Sequence, residues 1–126
     1  MWVLLAVLLA MDAVWLTVRR SYHEKLFASI QKSPLHVRIV PALLVYLLVA
    51  SALWYFVFHV GHASTPLHAF QMGAVLGGSM YGLYDLTNYA TLTGYTLEMT
   101  IVDTVWGAFT CGVAAAVYRS QLSRNG

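Results

Sequence analysis

Three aspartates stand in stretches otherwise dominated by apolar residues: Asp12 in MDAVWL (11–16), Asp85 in YDLTNYATL (84–92) and Asp103 in VDTVWG (102–107). A carboxylate in hydrocarbon is costly, and ionisable groups inside membrane spans face a bundle interior, a partner or a watery path. The chemistry open to them is proton exchange, binding of a cation or acid/base work. Tyr46, Tyr81, Tyr84, Asn88 and Trp106 fall on the same helical faces or beside them. With the three aspartates they form the candidate substrate or proton site.

Each residue also has a plainer role. Asp85 and Asn88 can bond to nearby backbone at the end of a span. Asp103 suits the positive end of its helix dipole. Asp12 has no helix end beside it, and an interhelical bond to Tyr, Trp or Arg is its structural role. Three aspartates accompanied by tyrosines and tryptophans favour one shared site over three separate ones.

The elements that must position these residues follow from composition. Of 126 residues, 60% are hydrophobic and only 10% charged; a soluble domain carries about 25% charged residues. The chain reads as a single integral membrane domain over 1–126, with spans at about 1–18, 39–58, 68–91 and 98–118. Each is near the ~20 residues an α-helix needs to cross the hydrocarbon. The fold expected is all-α, a four-helix transmembrane bundle, because lipid leaves few other ways to satisfy the backbone. The first span lacks a basic leader and a small-x-small cleavage site and carries Asp12, so it reads as an uncleaved helix. The third is the least apolar, holding Gly73, Gly77, Gly78 and Gly82 as well as the polar cassette.

Basic residues set an orientation. Arg19, Arg20, Lys25, Lys32 and Arg38 lie between the first two spans, against Arg119 and Arg124 in the tail. The majority places the first loop in the cytoplasm and both termini outside; the tail arginines oppose it. Within that loop Tyr22, Leu26 and Ile30 recur every fourth residue, which predicts a short interfacial amphipathic helix, with a solvated basic loop as the equal alternative. Asp12 then lies about 10 Å from the cytoplasmic end of its span, at 1.5 Å per residue. Asp85 sits near the inner end of span three and Asp103 about a turn and a half into span four. All three share one depth, whichever way the chain faces.

Helical phase agrees. Asp12, Trp15 and Arg19 share a face, as do Arg38, Ala42, Tyr46 and Ala50. So do Ala74, Gly77, Gly78, Tyr81, Asp85 and Asn88, and on span four Asp103, Trp106, Gly107, Thr110 and Ala114. Gly73 with Gly77, and Gly78 with Gly82, make G-x-x-x-G spacings that allow close helix approach. His59, His62 and His68 match no zinc pattern and read as interfacial or loop residues. Cys111 reads as core packing. No metal and no cofactor are implied, and no basic stretch interleaved with aromatics suggests nucleic acid.

The motifs MDAVWL, YDLTNYATL and VDTVWG, in this order, resemble the domain of unknown function 2177 family of small bacterial integral membrane proteins. The resemblance spans nearly the whole chain. It implies a multi-pass four-helix protein of the bacterial inner membrane, and it lends no activity. Three function classes stay open. Proton-coupled or cation/solute transport or binding through the aspartates ranks first, a membrane assembly subunit second, and a membrane-embedded enzyme on a lipid-like substrate third. The expected partners are the lipid bilayer and a second copy or another membrane protein, since four helices are few for an alternating pathway.

Overall fold

The computed structural model describes residues 2–31 and 39–125. Arg38 and Lys32 of the first loop lie outside them. The described residues are helical apart from short turns: α1 (Trp2–Gln31), α2 (Ile39–Leu53) continuing into a π-helix (Trp54–Val60), α3 (Pro66–Thr91) and α4 (Leu97–Asn125). Among the described residues three helical stretches are long and apolar enough to cross a membrane: Trp2–Arg19, Val40–Val60 and Leu97–Leu122. The stretch expected as the third of four spans, now α3, is 26 residues long and is not among them. Its glycines and polar cassette lower its hydropathy.

The first helix corrects one expectation. Among the described residues no separate amphipathic helix follows the first span; α1 runs unbroken through Tyr22, Leu26 and Ile30 to Gln31. The physical reason is that no proline or glycine interrupts residues 2–31, and a pair of arginines does not end a helix. At 30 residues and 1.5 Å per residue the helix is about 45 Å long, well beyond a hydrocarbon layer of about 30 Å. Its last turns are occupied. Phe27 packs edge-on against Tyr95, with centroids 5.9 Å apart, and the Tyr22 hydroxyl shares a hydrogen bond with Thr96. The turn between α3 and α4 therefore sits against the extension of α1.

The other ends have local causes. Thr65 caps α3, its side chain accepting from the His68 amide at 3.1 Å, with Pro66 at the first helical position, where its missing N–H is harmless. Thr96 does the same for α4, accepting from the Met99 amide at 3.1 Å. Asp103 is thus in the second turn of α4, and Thr96 rather than an aspartate is the cap. The π-helix closes through Gly61 N–H to Phe56 O at 3.1 Å and Ala63 N–H to Val57 O at 3.0 Å. His62, at φ 50°, takes the left-handed position that glycine usually fills.

Packing is densest between α3 and α4. Gly73 meets Cys111 and Ala115, Gly77 meets Gly107 and Cys111, and Gly82 meets Thr104, so the two helices run antiparallel. A methyl on Gly77 would fall 2.6 Å from the Gly107 carbonyl oxygen. This is the close approach for which the G-x-x-x-G spacing of Gly73 and Gly77 is suited. Helix α1 is antiparallel to α4 as well, pairing Asp12 with Trp106 and Arg19 with Glu98. It also joins α2 in a core of Leu4, Leu8, Val49, Ala50 and Leu53. Helices α2 and α3 touch only sparsely. On the outside, Leu43, Leu44, Leu47 and Leu48 of α2 are each about half exposed or more, an apolar surface suited to lipid rather than water.

Candidate functional site

The three aspartates converge from three helices. Asp12 is half-buried on α1, and its Oδ1 accepts from Trp106 Nε1 at 3.2 Å. The Trp106 ring stacks on Trp15, centroids 4.6 Å apart and 11° from parallel. Arg19 lies over Trp15 at 5.3 Å and over Tyr22 at 4.4 Å, and reaches Glu98 at 3.5 Å. The Tyr46 hydroxyl of α2 adjoins Asp12. Asp103 is buried on α4, next to Asp85 and Trp15. Asp85 is wholly buried on α3. Its Oδ1 accepts from the Tyr95 hydroxyl at 2.6 Å, and its buried carboxyl also meets that of Asp103.

A cavity of about 450 Å³ opens beside this cluster. Asp12 and Asp103 line it together with Tyr46, Tyr81 and Tyr84. Ala42, Val45, Val49 and Met80 complete the wall. All four α-helices contribute, and the space falls where α2 and α3 leave each other. Gly107 is the local device on the opposite side: with no side chain of its own, it lets the Tyr81 ring lie against α4. Val45 and Tyr84, both more than half exposed, stand at the rim.

The structure thus brings Asp12, Tyr46, Tyr81, Tyr84 and Asp103 around one space. Trp106 braces Asp12 and faces, on its other side, an apolar groove of about 380 Å³ that it lines with Trp15 and Phe109. Asp85 and Asn88 do not line the cavity. Asp85 sits beside Asp103, and Asn88 adjoins the hydroxyls of Tyr84 and Tyr95. Asp85 bonds to a side chain rather than to a helix end. The residue that sequence reasoning missed is Tyr95. It lies in the α3–α4 turn, where no helical phase assigns it a face. Burial first, then its bond to the Asp85 carboxyl, raise the Tyr95 pKa above its ordinary value.

His59 is exposed and stacks on Trp54 at 5.3 Å; His62 and His68 are exposed. No group of three or more metal-ligating side chains occurs among the described residues. Cys111 is buried against Gly77.

A family model described as "Predicted membrane protein (DUF2177)" matches residues 1–119. The chain belongs to this family. The match takes in α1, α2, α3, most of α4 and every residue of the cluster, so the cavity lies within the part of the chain that the DUF2177 model describes. Comparison with curated proteins and with solved structures returned no match. Family membership establishes a predicted membrane protein of helical character and assigns no activity.

Proposed function

We propose that this DUF2177 protein crosses the bacterial inner membrane four times and binds a small cation or polar solute in the cavity beside Asp12 and Asp103. Proton exchange at the carboxylates is coupled to passage of that solute. The observation that carries the reading is the cavity itself. Two carboxylates and three tyrosines from four helices face one space of about 450 Å³, within the size range of small-ligand sites. A core built only to hold helices together has no use for such a space.

The fourth crossing is supported by α3 lying along α4 through its glycines, which matches the length of one membrane-crossing helix to another. Orientation follows the basic residues of the first loop, with that loop in the cytoplasm. Four helices enclose little more than this one cavity, so a second copy completes the pathway.

Assembly is the second reading, favoured by the Asp12–Trp106 and Asp85–Tyr95 bonds, which tie α1 to α4 and α3 to the turn. Thiol access separates the two. Ala42→Cys and Val49→Cys, each in a Cys111→Ala background, are treated with a water-soluble, membrane-impermeant thiol reagent in sealed vesicles. Transport predicts reaction from both faces. Absence of reaction from either face, with full reaction after denaturation, leaves only the assembly reading.

A further inference from the structure

Carboxyl groups gather at and beside the cavity. Asp12 and Asp103 line the space. Asp85, wholly buried, stands beside Asp103 and bonds to it. Arg19 is about two turns along α1 from Asp12 and is engaged with Glu98. A site with this balance suits a cationic occupant.

The rest of the wall narrows the class. Calcium takes six to eight oxygen ligands, and magnesium holds an octahedral shell with most of its water retained. Two lining carboxylates set among Val45, Val49 and Met80 do not supply such a shell. An ammonium carrying apolar substituents has the opposite needs. It gives up water readily, is attracted to aromatic faces, and needs only carboxylate countercharge. Tyr46, Tyr81 and Tyr84 supply rings on two helices, the aspartates supply charge on the other two, and the aliphatic side chains receive the substituent.

We propose that the cavity takes a monovalent organic cation, an amine or quaternary ammonium with an apolar group, its charge between Asp12 and Asp103 and its substituent against the tyrosines. The assignment rests on reading the cavity as a solute site.

The test is calorimetric titration of the full-length protein in nanodiscs of zwitterionic lipid, with benzyltrimethylammonium as probe and magnesium chloride and benzenesulfonate as controls. The expected result is saturable binding of the ammonium alone, weakened tenfold or more in Asp12→Asn and Asp103→Asn and unchanged in Glu98→Gln. Equal affinity in wild type and both Asn variants overturns the proposal, as does preferential binding of magnesium or the sulfonate. If an Asn variant fails to fold, protection decides: the ammonium must slow thiol labelling of Val49→Cys, and magnesium at equal concentration must not. Labelling that neither probe slows removes the organic cation and leaves the cavity as a solute site. A thiol unreachable from water removes both.

Discussion

Tyr95 is the residue on which the deepest carboxyl depends. Its hydroxyl is the described hydrogen-bond donor to Asp85, at 2.6 Å, and Asp85 has no exposure at all. Removing one partner of a buried polar pair leaves the other desolvated, at about 1–3 kcal/mol. Tyr95→Phe should therefore destabilise the protein by that much, seen as a lower thermal midpoint in detergent, while Tyr89→Phe, on an exposed side chain, should leave the midpoint unchanged. The sign of the pH effect follows from linkage. The Tyr95 pKa is raised by burial and by Asp85, so its contribution is fully present below the unfolded value of about 10 and is lost as pH rises beyond it. The alkaline loss of stability should be smaller in Tyr95→Phe than in wild type. Asp12, Asp85 and Asp103 could be grouped from sequence because depth and helical phase both have a defined geometry within a span. Tyr95 could not, because a five-residue turn has neither. Its partner became visible only when the α1 extension and Phe27 folded over that turn.

At the scale of elements, the α3–α4 contact decides whether the site forms. The two G-x-x-x-G pairs of α3 look alike in sequence, yet they differ in space. A methyl on Gly77 meets the Gly107 carbonyl oxygen at 2.6 Å, whereas one on Gly82 meets Thr104 Cγ2 at an ordinary 3.5 Å. Gly77→Ala should force the helices apart and cost about 1–3 kcal/mol by overpacking. Gly82→Ala should be neutral or stabilising, since alanine gains up to about 1 kcal/mol over glycine in a helix. Thermal unfolding of both variants in one detergent checks the contrast; equal losses would mean that the two helices pack differently. Sequence spacing gave the small-residue stripe but not its partner, because the stripe says that something approaches and not what. The end of α1 was misjudged for a related reason. Hydropathy marks where apolar residues stop, and helix formation continues until the backbone is interrupted. The π-helix at Trp54–Val60 left no mark in the sequence pattern.

For the whole molecule, the apolar exterior of α2 and the 60% hydrophobic composition agree with membership of a predicted membrane protein family. The proposed orientation makes a direct prediction. Ser29 is exposed on the far end of α1, beyond Arg19. In a Cys111→Ala background, Ser29→Cys should react with an impermeant thiol reagent in inside-out vesicles and stay unreacted in intact cells. Reaction in intact cells would reverse the orientation while leaving the cluster unchanged, since flipping the chain carries all three aspartates together. The Arg119 guanidinium, which opposed this orientation in the count of charges, is engaged with the Ser64 carbonyl oxygen at 3.1 Å. That contact gives it a structural role at the end of the molecule opposite Arg19.

The central claim is that Asp12, Asp85 and Asp103 act as one group beside a shared cavity. Carboxyls that interact strongly titrate as a set, with apparent values that belong to the set rather than to single residues. The direct measurement is carboxyl titration by difference infrared spectroscopy on the wild type and on Asp12→Asn, Asp85→Asn and Asp103→Asn. Asparagine keeps the shape and can still accept the Trp106 or Tyr95 hydrogen bond, so the fold stays constant while one charge is removed. With Asp103→Asn identifying the Asp103 band, the shared site predicts that Asp12→Asn and Asp85→Asn each shift the titration of Asp103. An Asp103 titration that stays where it was in both variants would contradict it.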